Sequence, residues 1–175
     1  EIAGKSPSNT IKSVCFEFMR RYPNHETGLF IYGDATANKQ DTKLETGYNF
    51  FRLILEYLAV YKPSNKVLKS NPSVVMRGNW INTVFEKNIG NLEFIIGENC
   101  KTAINDFVLL KEASDGTKLK ELAKDPISNA SYQKYGHYTD LFDYVACSAF
   151  ANEFISYQKG GRNSKIVIGD RKSVV

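Results

Sequence analysis

An α/β architecture, in which helices cover a largely parallel sheet and a β-hairpin joins late, is what this 175-residue sequence predicts. Three observations predict it. Segments with apolar residues at helical spacing alternate with short β-branched or aromatic runs. The run Gly28-Leu29-Phe30-Ile31-Tyr32-Gly33 is apolar on both faces, as a buried parallel strand is, and ends in the small-residue turn Asp34-Ala35-Thr36-Ala37. Asp115-Gly116, between 108–113 and 117–122, is a two-residue hairpin turn.

Ser6-Pro7-Ser8-Asn9 reads as a loop and helix start, and Ile11, Val14, Cys15 and Phe18 carry helical spacing until Pro23 ends it. The strand at 28–33 follows, then a polar loop over 35–43. An apolar helix over 46–61 presents Tyr48, Phe51, Leu55 and Leu58 and is broken by Pro63-Ser64-Asn65. Lys66 to Ser70 makes a short strand. Asn71-Pro72-Ser73 opens a helix to about Lys87, with Pro suited to its first turn and Asn71 as its N-cap. Leu92 to Ile96 forms a further strand, and Asn99 caps a helix from Cys100 to about Leu110. After the hairpin, 124–136 is an irregular polar loop, and a final helix over 139–157 turns Val145, Ala149 and Phe150 to the core.

The composition, 42% hydrophobic and 24% charged, is that of a globular domain with a sizeable core. Ten Tyr and eleven Phe fill much of that core with rings. No apolar run reaches the roughly 20 residues of a membrane helix, and the N-terminus has no signal-peptide pattern, so a cytoplasmic protein is expected. Cys15, Cys100 and Cys147 are odd in number and widely spaced, which suits reduced thiols rather than a disulfide or zinc site. The net charge of +4 sits at the end of the chain. Residues 159–175 hold five basic side chains against Asp170 alone, leaving the other 158 residues balanced at 18 of each sign. The expected division is a domain over 1–158 and a basic tail over 159–175, suited to phosphate or an acidic partner.

Asp34 is the leading chemical candidate, since a carboxylate at a strand end points off the sheet edge towards a metal or phosphate. Turn-forming Asp after Gly is the alternative. Asp140 and Asp143 share one helix face, where Asp140 suits a divalent cation and Asp143 the same ion or its support; both equally suit the positive end of a helix. Asp106 fits a salt bridge or a solvent-facing position. Lys62, Lys66, Lys69 and Arg77 form a basic cluster suited to a nucleic-acid backbone or to a charged helix surface, and His137 suits a phosphate contact or the end of a loop. There is no Walker loop, no GxSxG and no HExxH, which leaves nucleotide hydrolysis, serine hydrolysis and zincin chemistry without support.

Several of these segments, taken in order, resemble the C-terminal nuclease domain of the large terminase subunit of tailed bacteriophages, particularly forms from phages of gut bacteria. The resemblance runs through Gly33-Asp34-Ala35-Thr36-Ala37-Asn38, Asn71-Pro72-Ser73-Val74 with Arg77 and Asn82-Thr83-Val84-Phe85, and Asn99-Cys100-Lys101 with Asp106. It continues through Asp115-Gly116-Thr117-Lys118 and His137-Tyr138-Thr139-Asp140-Leu141-Phe142-Asp143-Tyr144, covering most of 8–157. It implies a ribonuclease H-like mixed sheet flanked by helices. It also implies two-metal hydrolysis of DNA phosphodiesters by ions about 4 Å apart, with Mg²⁺ or Mn²⁺ as cofactor.

By position, Asp34 and Asp140 match family metal ligands and catalytic acids, with Asp143 and Asp106 as possible additions. Lys66, Lys69, Arg77, His137, Arg162 and Lys165 are the expected DNA contacts. The family's first acid lies on a strand upstream of the first helix here, so the first strands of the sheet are expected to be missing and cleavage by this chain impaired. The implied substrate is concatemeric double-stranded phage DNA in the host cytoplasm, and the implied partners are the small terminase subunit and the portal protein. Two alternatives remain: another ribonuclease H-like phosphotransferase, such as an integrase or resolvase, and a non-catalytic phage DNA-binding module whose acids are caps and turns.

Overall fold

A computed structural model describes residues 10–39, 47–90 and 92–160 of the chain. It is mixed α/β and divides into two compact units, residues 1–71 and 72–175.

In the first unit, helix α1 (Ile11–Arg21) starts where Thr10 and Ser13 cap each other's backbone N–H reciprocally. It ends in Arg20 and Arg21, both paired with Glu17. Strand β1 (Leu29–Ile31) follows, then a 3₁₀ turn (Ala35–Asn38), helix α2 (Phe50–Tyr57) capped by the Asn49 side chain, and a second 3₁₀ turn (Ala59–Tyr61). Strand β2 (Pro63–Asn65) returns parallel to β1, pairing Leu29 with Pro63 and Ile31 with Asn65. Cys15, Leu58 and Tyr61 form the buried centre, against which Ile11, Phe18, Met19, Leu29, Ile31 and Ile54 pack. Ile11, Cys15 and Phe18 of the expected stripe thus face this centre together with Met19, whereas Val14 is exposed.

The second unit begins with α3 (Val74–Phe85), N-capped by Ser73. Helix α4 (Lys101–Leu109), a hairpin of β3 (Lys111–Glu112) and β4 (Lys118–Leu119), and a hairpin of β5 (Leu122–Lys124) and β6 (Ser131–Gln133) follow. Helices α5 (His137–Ala149) and α6 (Ala151–Gln158) complete it. Trp80, fully buried, meets Phe94 at 5.9 Å and Phe154 at 5.2 Å between ring centroids, and Phe85, Phe107 and Phe142 extend the same aromatic core.

Several expectations need correction. Among the described residues the strands form three separate two-stranded ladders, and parallel pairing is confined to β1–β2. The strand expected at 66–70 is instead at 63–65, immediately after Lys62 takes a left-handed conformation (φ 50°) that turns the chain out of the 3₁₀ segment. Residues 92–96 are irregular: Leu92 is buried and Phe94 is drawn into the aromatic core, neither with a ladder partner. The loop expected at 124–136 contains the β5–β6 hairpin, closed by Asp125, whose carboxylate accepts from the N–H groups of Ile127 and Ser128. The helix expected over 139–157 is two helices broken at Phe150 (φ −115°, ψ 44°). The hairpin expected at Asp115-Gly116 is present, with Gly116 at φ 79°. Beyond Gly160, the basic tail with Arg162 and Lys165 lies outside the described residues, as do residues 1–9 and most of the loop before α2. No described helix is long and apolar enough to cross a membrane.

Candidate functional site

In the first unit, Asp34 follows the carboxyl end of β1 by three residues as the N-cap of the 3₁₀ turn, and the following residues fold back onto that side chain. The Asp34 carboxylate accepts from the Thr36 N–H and hydroxyl, both at 2.8 Å, and from Asn71 Nδ2 at 2.6 Å. Asn71 Oδ1 in turn accepts from the Ala35 N–H at 2.9 Å. Asn71, expected to cap α3, instead braces this turn, and Ser73 takes the cap. Gly33 is buried because Phe51 lies against it: a Cβ built there would meet the ring at 2.8 Å. Lys66 and Lys69 are exposed, and Lys66 lies over the exposed Phe30 ring at 5.1 Å from its centroid.

In the second unit, α5 carries Asp140 and Asp143 one turn apart, facing Arg77 of α3 and two lysines of the first hairpin. Lys118 of β4 and Lys120 just after it both point to the carboxylates, with the exposed Leu119 between them. Lys118 Nζ donates to Asp143 Oδ2 at 2.6 Å and to Asp140 Oδ1 at 3.1 Å, while Lys120 Nζ donates to Asp140 Oδ2. Arg77 reaches Asp143 at 2.9 Å and Asp140 at 3.4 Å. It also donates to the Pro72 carbonyl and lies over the Tyr144 ring. Three cations thus enclose two carboxylates. At 4% exposure Arg77 does not belong to a surface basic cluster, and the expectation that it contacts DNA with Lys66 and Lys69 is corrected accordingly.

The two acids respond oppositely to these surroundings. Burial pushes Asp140 up, but hydrogen bonding to Lys120 and the charge and hydrogen bond of Lys118 outweigh it and hold its carboxyl below 3.8. Asp143, only 2% exposed, is raised above 3.8 because burial outweighs Lys118 and Arg77. The buried Cys147 thiol is pushed up to about 12, by burial first and then by Asp143, and is inert as a nucleophile. Cys15, Cys100 and Cys147 are all free thiols.

Asp106, expected in a salt bridge or at the surface, is buried and caps α5 from α4. Its carboxylate accepts the backbone N–H groups of Gly136 at 2.5 Å, Tyr138 at 2.8 Å and Thr139 at 3.0 Å. Gly136 (φ 107°) starts α5 without a capping side chain of its own, so the cap comes from a distant element. His137 is exposed, and its Nε2 lies 3.1 Å from the Gln133 carbonyl oxygen.

Among the described residues no three His, Cys, Asp or Glu side chains come together as a metal-ligand set. Asp140 and Asp143 are already neutralised by three cations, and a divalent ion at Asp140 would have to displace Lys118 and Lys120. The acids of the second unit therefore do not fit a divalent ion as they stand. The sequence signal for this was present in Lys118-Leu119-Lys120 directly after the hairpin turn, a strand-period pair of cations. No protein-family model matches the chain, and no curated protein or solved structure matches it.

Proposed function

We propose that this chain is a DNA endonuclease domain of the terminase large-subunit kind that its sequence resembles, acting on double-stranded phage DNA during genome packaging. Asp34 and Asp140 are its metal-binding acids for Mg²⁺ or Mn²⁺, Asp140 taking the ion only once Lys118 and Lys120 have been displaced from it. The observation that carries this reading is the position of Asp34: an acid three residues beyond the carboxyl end of a parallel strand, in a turn of small residues braced by Asn71. Asp140 in the first turn of α5, its side chain 18% exposed, supports it. The small terminase subunit and the portal protein are the partners that this reading carries, and the host cytoplasm is its setting.

A second reading has an observation of its own. Asp34, Asp106, Asp140 and Asp143 all serve caps, turns or ion pairs, as they would in a non-catalytic DNA-binding module. Asp34→Asn and Asp140→Asn separate the two readings, assayed for Mn²⁺-dependent plasmid nicking and for duplex binding by fluorescence anisotropy. The assays use the 175-residue chain and the chain extended upstream by the strand that the resemblance calls for. Loss of nicking in both variants with duplex affinity kept supports the nuclease. Nicking unaffected by either substitution, or absent from both wild-type forms while DNA still binds, overturns it in favour of the binding module.

A further inference from the structure

A cavity of about 290 Å³ opens in the second unit between α4 and the segment leading into α5. Thr102, Asn105, Asp106 and Leu109 line one side at the i, i+3, i+4 and i+7 positions of α4, a single helix face. Tyr135 and Tyr138, both partly buried, line the other side together with His137 and Lys134. The Lys134 ammonium lies 5.1 Å from the Tyr135 ring centroid. The first N–H groups of a helix ordinarily attract an anion, but here those of Gly136, Tyr138 and Thr139 are all taken by Asp106. The lining presents to a ligand the aromatic side chains of Tyr135 and Tyr138, an amide and a hydroxyl at the rim, and positive charge from Lys134 outside. That chemistry suits a flat heteroaromatic ring with a hydrogen-bonding edge and a phosphate beyond it.

We propose that this cavity seats a single unstacked nucleobase, stacked on Tyr138 and read at its edge by Asn105 and Thr102. The inference rests on the nucleic-acid reading above and adds to it a subsite for one base of a single-stranded end or flap. A base held in a duplex is already stacked and paired, and reaches such a cavity only after leaving the helix. Asp106 keeps the seat formed in the absence of ligand, because it ties the α5 start to α4.

The test is titration of the 175-residue chain with a short single strand carrying one 2-aminopurine, with the matching duplex, and with 2-aminopurine nucleoside monophosphate. Binding is followed by anisotropy and by 2-aminopurine emission, and Trp80 emission confirms that each variant is folded. The expected result is altered 2-aminopurine emission on binding and about tenfold weaker single-strand binding for Tyr138→Ala. Asn105→Ala should also weaken binding, whereas Tyr138→Phe, which keeps the stacking face, should bind as wild type. A response to the monophosphate as strong as to the strand identifies a free nucleotide as the source of the base; a response to the strand alone identifies a single-stranded end. Single-strand binding with unchanged emission, or binding insensitive to Tyr138→Ala and Asn105→Ala, overturns the base seat and leaves the nucleic-acid reading standing. No binding of strand, duplex or monophosphate overturns both.

Discussion

Replacing Asp106 by Ala should destabilise the second unit by about 3 kcal/mol. Three backbone N–H groups lose a charged acceptor at 2.5, 2.8 and 3.0 Å, and those of Gly136 and Thr139 belong to buried residues. Loss of a helix cap alone costs about 1–2 kcal/mol, and each buried N–H left unpaired costs about 1–3 kcal/mol. Water entering the adjoining cavity recovers part of that, which brings the sum to about 3 kcal/mol rather than twice as much. Asp106→Asn keeps the shape and one acceptor oxygen but turns an NH₂ towards the same donors, so about half of the loss is expected. Urea unfolding followed by Trp80 fluorescence measures both variants. Trp80 is the chain's single tryptophan and is fully buried in the same unit, so the signal reports the region in question. A loss below about 1 kcal/mol for Asp106→Ala would refute the argument that α5 depends on a cap from α4.

Gly33→Ala should cost about 1–3 kcal/mol in the first unit, because the new methyl meets the buried Phe51 ring at 2.8 Å, and adding Phe51→Leu should recover most of it; urea unfolding followed by circular dichroism decides. The opposed shifts of Asp140 and Asp143 predict opposed pH dependences. The folded-state pKa of Asp140 is depressed, so its stabilisation is whole above about pH 5 and is lost as pH falls through 3.8 and below; the deficit of Asp140→Asn should shrink between pH 6 and pH 3. The folded-state pKa of Asp143 is raised, so its contribution is whole below 3.8 and is lost as pH rises through the folded value; the deficit of Asp143→Asn should be smaller at pH 6 than at pH 3. Parallel slopes for the two variants, measured by urea unfolding across that range, would contradict the charge arrangement described for the cluster.

Local signals in the sequence located most helices and one hairpin. The stripe of Ile11, Val14, Cys15 and Phe18, the Asn71-Pro72-Ser73 start and the Asp115-Gly116 turn act over a few residues, and the structure places α1, α3 and the β3–β4 turn where those signals lie, although Val14 is exposed and Ser73 rather than Asn71 is the cap. Strand assignments fared worse. An apolar run such as Leu92 to Ile96 looks the same whether it joins a ladder or feeds an aromatic core, and here Phe94 packs on Trp80 and Phe142 instead. The β5–β6 hairpin was missed because its turn, Asp125 to Ala130, contains no Asn-Gly or Asp-Gly pair and is closed by an Asp side chain. Phe150, where the last helix breaks, has nothing in its neighbourhood that ordinarily stops a helix.

The sequence by itself determined that this chain makes amphipathic helices with a few short strands, and that Asp34 and the pair Asp140 and Asp143 occupy a strand end and a helix start. These are consequences of periodicity and turn chemistry, which act between near neighbours. Only the tertiary structure decided what those acids face: Asn71 against Asp34, three cations against Asp140 and Asp143, and the α5 backbone against Asp106. A carboxylate's partners are set by contacts across 20 to 66 residues of chain, and no local pattern carries the direction in which a distant lysine or arginine will point.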